Sequence, residues 1–366
     1  MKFLFVAPRF HTNQVNWVNS LIENKHEVIF HSQIVGATEN YSIITPSVFR
    51  PCKLSIYINK TIGNGGINNP RGFPNPITYW KEIKLLKPDV IIVRDIARWF
   101  SFMAAVFARV FGTKVLIYSQ TDLHKHYTVP RKIITKIILY VFKAKWITPV
   151  LGNISDFPTY PKGMYFVPFS VDVNQRKMSK SFDGFKLLSV GKFEDRKNHL
   201  MLLRVIKLLI DDGFDLQLKL IGEVSKDAHK RNLLICKNFI KENNLTDFVS
   251  IIINVPHFKI MKFYRETDLF ILPATEEPAS ISILESVGQG IPAICSDTNG
   301  TRSYLTQNNF GITFSNNDSD NLFQQIKYLL DPEKLQYFHN NINRKVATVL
   351  SKSVFYNCLI SLLDND

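Results

Sequence analysis

The chain has 366 residues, enough for two domains that each bury a core of their own. Its 45% hydrophobic and 21% charged residues are ordinary for a globular protein, and it has no uninterrupted apolar run of the kind that predicts a transmembrane helix. The four cysteines, at 52, 236, 295 and 358, lack paired spacing, which argues against a disulfide framework and against a zinc site. We therefore expect a cytoplasmic protein.

The net charge of +14 is unevenly spread along the chain. Residues 1–172 contain 21 Lys and Arg against 9 Asp and Glu, a net charge of +12. Residues 173–366 contain 24 against 22, a net charge of +2. The excess in the first half either serves solubility alone or indicates an anionic partner, and we favour the partner.

The first half alternates strand-like and helix-like segments, which predicts βαβ units and a parallel sheet. The stretch 61–76, rich in Gly, Asn and Pro, predicts a surface loop. The segment 131–145 predicts a strongly apolar helix that also carries five basic residues, at 131, 132, 136, 143 and 145. Such a helix either lies on an anionic membrane surface or is a core helix with basic residues at its solvent edge, and the charge of this half favours the membrane.

The second half begins after a polar linker at 171–184 and again alternates strands with helices. We expect two Rossmann-like domains facing each other across a ligand cleft. The predicted boundaries are 1–172 for a basic N-terminal domain, 173–345 for a C-terminal domain, and 346–366 for a C-terminal helix that packs back on the N-terminal domain.

In the second domain, the loops that follow the strands carry groups suited to an anionic ligand. After the first strand, Gly191 allows a close backbone turn, while Lys192, Arg196 and Lys197 supply cations for a diphosphate. After the second strand, Gly222 leaves room for a ligand to approach. After the fourth strand, the loop ends at a helix N-terminus near Ser280, whose free amides favour an anion.

The fourth loop and its helix also contain three glutamates, at 276, 277 and 285. In a continuous helix, eight residues would separate Glu277 from Glu285 by roughly 12 Å. A glycosidase acid–base pair needs about 5–9.5 Å, so the spacing favours two contacts on an extended ligand over a hydrolytic pair. Glu285 could equally be a carboxylate on a helix surface, and Glu276 is interpreted as a neighbour without a role of its own.

These residues carry a resemblance to a known family. The E-x7-E spacing of Glu277 and Glu285, with GKFEDRKNH at 191–199 upstream and TNG at 298–300 downstream, resembles the retaining glycosyltransferases of family 4, also called group 1, which have the two-domain GT-B fold. The resemblance covers about residues 165–315 and includes VPFSVD at 167–172. Two departures are Ala279 and Ser280, where the family often has an aromatic residue and a glycine, and 8-PRFHTN-13, which replaces a glycine-rich loop.

The resemblance implies a role for each matching position. Lys192 and Lys197 would bind the diphosphate of a nucleotide-sugar donor, and Glu285 would hold its ribose. Glu277 would contact the transferred sugar near the reacting carbon, assisted by backbone amides at residues 279–281, namely Ala279, Ser280 and Ile281. Because lysines would neutralise the diphosphate, neither a metal nor a cofactor is expected, and Asp318 and Asp320 are interpreted as a solvated helix cap.

On the acceptor side, the candidates come from two loops of the first domain: His124 and Asp122 after the strand at 114–119, and Arg9 and His11 after the first strand. For His124 the alternative is a solvated loop histidine.

The expected reaction moves a sugar, with retained anomeric configuration, from a nucleotide diphosphate sugar to a hydroxyl of a saccharide or lipid-linked saccharide, as in cell-surface polysaccharide synthesis. We place the enzyme in the cytoplasm, peripheral on the inner face of the membrane. A nucleic-acid-binding or scaffold protein with a degenerate GT-B fold is one alternative, which no helix-turn-helix, zinc-finger or RNP motif supports. Another GT-B activity, such as a phosphorylase, is the second.

Overall fold

The computed structural model of the protein describes residues 1–36, 39, 41–61, 72–125, 127–152, 162–176 and 184–364. Most of the predicted loop at 61–76 and half of the predicted linker at 171–184 lie outside these residues. The chain divides into a first unit, Met1–Phe169 with Phe355–Asp366, and a second unit, Ser170–Val354. The end of the chain is therefore grouped with the first unit.

The first unit contains a parallel sheet of seven strands in the order β3-β2-β1-β4-β5-β6-β7. Its strands are β1 Lys2–Val6, β2 Glu27–Ser32, β3 Ser47–Val48, β4 Val90–Arg94, β5 Lys114–Tyr118, β6 Lys145–Thr148 and β7 Met164–Phe166. Its helices up to β7 are α1 Thr12–Glu23, α2 Lys53–Thr61, α3 Pro76–Leu86, α4 Trp99–Val110 and α5 Val129–Phe142.

The second unit contains a parallel sheet of six strands in the order β10-β9-β8-β11-β12-β13. Its strands are β8 Phe185–Val190, β9 Leu216–Gly222, β10 Val249–Ile253, β11 Leu269–Leu272, β12 Ala293–Ser296 and β13 Gly311–Phe314. Its helices are α6 His199–Asp211, α7 Asp227–Glu242, α8 His257–Arg265, α9 Ile281–Gly288, α10 Arg302–Thr306, α11 Ser319–Leu329 and α12 Pro332–Leu350, after which α13 Lys352–Asp364 returns to the first unit.

Alternation along the strands places neighbouring residues on opposite faces of each sheet. In β1, Phe3 and Phe5 belong to one buried cluster, whereas Leu4 and Val6 belong to another on the opposite face. Because helices cover both faces, the strands appear in the sequence as continuous apolar runs. The predicted α/β class with two parallel sheets is confirmed.

The helix α13 completes one face of the first sheet. Its Phe355 stacks on Trp17 with ring centroids 4.8 Å apart, and both side chains are fully buried. The ammonium groups of Lys114 and Lys145 donate to the carbonyls of Leu363 and Leu362, at 2.9 and 2.7 Å. Cations at the carboxyl end of a helix satisfy its last carbonyls and complement its dipole.

By length and composition alone, the helical stretch Pro332–Asp364 could cross a membrane, because its most apolar window has a mean hydropathy of 1.5. It divides into α12 and α13 near Ser351, however. Phe338 of α12 packs into the core of the second unit, and Phe355 and Leu359 of α13 pack into that of the first. These side chains indicate core helices.

The helix α5 differs from its prediction at both ends. It runs from Val129 to Phe142 instead of 131–145, because Lys143 takes a left-handed backbone with φ of 44° and Lys145 begins β6. Its apolar side chains Ile134, Ile137 and Tyr140 are 56%, 55% and 85% exposed. Among its described side chains only Phe142 is buried, so the interpretation as an ordinary core helix is wrong.

In each sheet the strand order reverses next to the first strand of the unit. β1 lies between β2 and β4, and β8 lies between β9 and β11. Loops that leave the carboxyl ends of the two central strands diverge there, and ligands of doubly wound folds bind in the resulting crevice. For the second unit these are the loops after β8 and β11.

Candidate active site

The two loops at the switch point of the second sheet meet through an ion-pair cluster. A short 3-10 helix, Asp195–Lys197, places Arg196 and Lys197 side by side before α6. Lys197 Nζ lies 2.5 Å from Glu277 Oε2, and Arg196 Nη1 donates to the same oxygen. We call Arg196, Lys197 and Glu277 the switch-point cluster; it joins residues that are 80 positions apart in the chain.

Burial differs strongly among the cations of this region. The side chains of Lys197 and Glu277 are each 9% exposed, whereas that of Arg196 is 41% exposed and also pairs with Glu194 at 2.9 Å. Burial lowers the pKa of Lys197, and the attraction of Glu277 opposes that shift. Burial also lowers the pKa of Arg196, but the carboxylates of Glu277 and Glu194 together raise it above the usual value.

Lys192, the other predicted diphosphate ligand, pairs with Glu223. Its Nζ lies 3.2 Å from Glu223 Oε2, and its side chain is 35% exposed. Glu223 is 18% exposed, so the pair is partly open to solvent. Solvent-screened pairs contribute about 0–1 kcal/mol, so an incoming anion could replace Glu223 at little cost. The buried Lys197–Glu277 pair is much harder to separate.

The two predicted glycines follow β8 and end β9. A Cβ on Gly191 would contact the Lys197 side chain at 3.3 Å, so this glycine leaves room for the lysine. A Cβ on Gly222 would lie 2.4 Å from the Phe193 ring and 2.6 Å from the Gly191 carbonyl. The need for glycine at 222 therefore arises from packing inside the protein, and a role in ligand approach stays a prediction.

The structure separates the two adjacent glutamates. Glu276 is exposed and takes a left-handed backbone with φ of 51°, whereas Glu277 is buried. The segment at 298–300 supports their loop: Thr298 Oγ1 accepts from the Glu276 amide at 3.3 Å, and the Gly300 amide donates to the Glu277 carbonyl at 2.9 Å. The interpretation that Glu276 has no role of its own stays a prediction.

Asn299, in the same segment, was not singled out by the sequence. It is fully buried, and its Oδ1 accepts from the amide and hydroxyl of Thr301 at 3.0 and 2.7 Å. Within the described residues its Nδ2 has no hydrogen-bond partner. A buried donor beside the Glu277 loop is suited to a ligand oxygen.

The predicted amides at 279–281 lie where α9 begins. Ser280 is the N-cap residue, and its hydroxyl contacts the Ser282 hydroxyl at 2.9 Å without capping the helix. Ile281 is the first helical residue. The first amides of a helix have no partner within it, so those at the start of α9 are suited to donate to an anion.

Glu285 lies on α9 and is engaged by two residues of α8. His257 Nε2 lies 2.6 Å from Glu285 Oε1, and the Tyr264 hydroxyl lies 3.2 Å from Oε2. Glu285 is buried, so the alternative of a surface carboxylate is wrong. Neither partner was singled out from the sequence. His257 begins α8 directly after the loop that follows β10, at the same sheet edge, and that position was the available signal.

In the first unit, Arg9 and His11 follow β1, one of its two central strands. Arg9 Nε pairs with the carboxylate of Glu39, which also accepts from the Tyr41 hydroxyl at 2.7 Å. His11 occupies the N-cap position of α1 without making a side-chain cap. Both loop residues therefore lie at the carboxyl edge of the first sheet, beside its switch point.

His124 and Asp122 lie in the loop after β5. His124 is buried, its amide donates to the Leu151 carbonyl at 2.8 Å, and it forms a bridge with Gly152. The Asp122 carbonyl accepts from the Tyr127 hydroxyl at 3.0 Å. The alternative of a solvated loop histidine is wrong for His124, since the ring is enclosed.

A polar cluster at the same edge was also missed. Asn13 Nδ2 donates to the Tyr118 hydroxyl at 3.2 Å, and the Arg94 guanidinium lies 5.6 Å from the centre of the Tyr118 ring. In the described part of the chain, Asn13 Oδ1 and Arg94 Nη1 are buried without hydrogen-bond partners. They offer one acceptor and one donor for a hydroxylated ligand.

Among the described residues, no group of three or more His, Cys, Asp or Glu side chains could hold a metal ion. Asp318 accepts from the Asn321 amide at 2.8 Å and caps α11, which confirms its interpretation as a helix cap.

The second unit is similar in sequence to a known protein family. The model of the family "Glycosyl transferases group 1" matches residues 171–345. The N-acetylgalactosamine-N,N'-diacetylbacillosaminyl-diphospho-undecaprenol 4-alpha-N-acetylgalactosaminyltransferase of Campylobacter jejuni is 27% identical over 268 residues, 68% of this chain and 69% of the relative. The UDP-Gal:alpha-D-GlcNAc-diphosphoundecaprenol alpha-1,3-galactosyltransferase of Escherichia coli is 26% identical over 197 residues, 51% of this chain and 48% of the relative.

Solved structures of low sequence identity share the whole architecture. A glycosyltransferase from Rickettsia africae has a TM-score of 0.74 at 14% identity and covers 100% of this chain and 99% of its own. Anabaena HepE in complex with UDP has a TM-score of 0.74 at 12% identity and covers 100% of both chains. The fold is therefore that of the GT-B glycosyltransferases, as predicted. With the family match, it supports a group 1 glycosyltransferase.

Proposed function

We propose that the protein is a retaining glycosyltransferase of family 4 that moves a sugar from a nucleotide diphosphate sugar to a hydroxyl of a saccharide or lipid-linked saccharide. The observation that carries the proposal is the switch-point cluster, in which a buried lysine, an arginine and a glutamate meet where a doubly wound sheet binds ligands. The E-x7-E spacing of Glu277 and Glu285 supports retention and family membership.

Catalysis in this proposal is mainly electrostatic. As the bond between the sugar and the diphosphate breaks, negative charge grows on the departing diphosphate. Lys192, Lys197, Arg196 and the free amides at the start of α9 stabilise that charge in place of water. Glu277, held by two cations, faces the transferred sugar, and Glu285 takes the ribose. Lysines and amides supply the positive charge, so the proposal includes neither a metal nor a cofactor.

The first unit supplies the acceptor side, with Arg9, His11, Asp122 and His124 as the predicted contacts. The two relatives described above are named for acceptors linked to undecaprenol diphosphate. We propose an acceptor of the same chemical kind, a saccharide on a lipid diphosphate, for synthesis of a cell-surface polysaccharide.

Docking of α5 on the inner face of the membrane accords with such an acceptor. Its exposed apolar side chains are accompanied by three exposed basic ones, Arg131, Lys132 and Lys136. Helices of this composition bind the boundary between headgroups and acyl chains when anionic lipids are present. The protein is then cytoplasmic and peripheral on the membrane.

A thermal-shift screen against UDP-, GDP-, ADP- and CMP-sugars tests the donor. A true donor stabilises the folded protein by about 2.7 kcal/mol at a concentration of about 100 times its Kd, and Glu285→Gln should weaken the shift. If no nucleotide sugar stabilises the wild type and DNA instead binds in a salt-dependent manner, the nucleic-acid alternative replaces the proposal. Retention is checked by comparing the anomeric NMR signals of donor and product.

A further inference from the structure

His257 is a candidate for a second residue at the proposed ribose site. It is the first residue of α8, follows the loop after β10, and keeps 22% of its side chain exposed. Its Nε2 lies 2.6 Å from Glu285 Oε1, so the ring binds the carboxylate directly. The attraction of Glu285, opposed by burial and aided by Asp172, raises the pKa of His257.

The other carboxylate oxygen of Glu285, Oε2, is contacted by a buried tyrosine. The Tyr264 hydroxyl is fully buried and lies 3.2 Å from Glu285 Oε2 and 3.1 Å from the Ser282 carbonyl. Burial, and then the Glu285 charge, keep the pKa of Tyr264 well above its ordinary value. Tyr264 therefore remains neutral, and its one hydroxyl proton is shared between Glu285 Oε2 and the Ser282 carbonyl. Each oxygen of Glu285 has one partner on α8.

Two partners do not saturate a carboxylate. An ionised carboxylate offers about four lone-pair positions, two on each oxygen. One donor on each oxygen fixes the plane of the carboxylate, and within the described part of the chain one position on each oxygen has no partner. Two hydroxyls on neighbouring carbons match that arrangement, because each can donate to a different oxygen.

We infer that His257 is a positioning residue for the nucleotide donor: with Tyr264 it fixes the Glu285 carboxylate so that the vicinal hydroxyls of a ribose donate one to each oxygen. The inference rests on the proposed function, in which Glu285 takes the ribose. It adds that recognition of the ribose diol depends on a histidine that acts through the Glu285 carboxylate.

The test compares a nucleotide sugar found in the donor screen with its 2′-deoxy analogue. Wild type should prefer the ribose form, with a ratio of KM values of about 10- to 100-fold, because a hydrogen bond to a charged group is lost with the hydroxyl. His257→Ala should raise the KM for the ribose donor, change kcat little, and remove most of the preference. His257→Gln keeps a donor without the charge and should restore part of it.

The pH profile gives a further readout. In wild type, the KM for the donor should rise as pH increases through the raised pKa of His257, and this limb should be absent in His257→Gln. Lys259→Ala, an exposed change in the same first turn of α8, is the matched control and should keep the wild-type ratio.

Circular dichroism first establishes that each variant folds. If folded His257→Ala and His257→Gln both keep the full preference for the ribose donor, the inference is wrong while the proposed function stands. If wild type binds no nucleotide sugar, both fail together.

Discussion

Replacing Lys197 or Lys192 by methionine should separate the buried ion pair from the exposed one. Lys197 and Glu277 are each 9% exposed at 2.5 Å, and removing one partner of a buried pair costs about 3–5 kcal/mol. Because Arg196 stays on the same Glu277 oxygen, we expect the lower end, about 3 kcal/mol, for Lys197→Met. Lys192→Met breaks only the exposed pair with Glu223 and should cost about 0–1 kcal/mol.

Activity should not follow stability in this pair of variants. In the proposed mechanism each variant removes one cation that stabilises the departing diphosphate, and loss of one such group lowers kcat by about 10²- to 10³-fold. Lys192→Met should therefore be nearly as stable as wild type but almost inactive, whereas Lys197→Met should be both inactive and destabilised.

Urea unfolding can measure the effect unit by unit. All four tryptophans, at 17, 80, 99 and 146, lie in the first unit, so fluorescence reports that unit while far-UV circular dichroism reports both. Lys197→Met should shift the dichroism transition and leave the fluorescence transition in place. Adding Glu277→Gln should cost less than the sum of the single changes, with a coupling of about 0.5–3 kcal/mol. A Lys197→Met protein as stable as wild type, or less affected than Lys192→Met, would refute the assignment of a buried pair.

Two further predictions concern the first unit. Ile134→Asp combined with Ile137→Asp should abolish flotation with anionic vesicles and leave the unfolding midpoint unchanged, because both side chains are more than half exposed. The control is Leu234→Asp, at a similarly exposed site of the second unit. Failure of the wild type to float with the vesicles would exclude the membrane role. Burial lowers the pKa of His31 to about 3, so its protonation favours the unfolded chain below pH 6.5 and should remove about 2 kcal/mol by pH 5. Tryptophan fluorescence should show that loss in wild type but not in His31→Gln; equal pH dependence in the two proteins would contradict it.

The strands and their class were predictable because parallel strands covered on both faces must be apolar throughout. The run at 269–272, for example, matches β11 Leu269–Leu272. The order of the strands within each sheet was not predicted, because a hydrophobic pattern shows that a segment is buried but not which strand lies beside it. Because β8 and β11 are neighbours in the sheet, the loops that follow these two strands meet.

The same limit explains what was missed in the candidate site. The spacing around Glu277 and Glu285 identified both residues, but their partners lie 80 and 28 residues away. The first turn of the helix at His257, HFK, lacks a regular apolar period that would have marked where the helix begins. Buried ends of helices are set by tertiary contacts, which local pattern does not contain.

The partners of the two glutamates also give a physical reason for dividing their roles. Glu277 shares one oxygen between two permanent cations, so it can yield one of them to a diphosphate and remain paired with the other. Glu285 has one partner on each oxygen, a titratable histidine and a neutral tyrosine, so it keeps an acceptor position on both. The first arrangement suits a site where charge changes during reaction, and the second suits a diol that must be held without change. Spacing in the sequence indicates two contacts on one ligand. Under the proposed function, the hydrogen-bond partners favour Glu277 as the contact nearer the reacting bond.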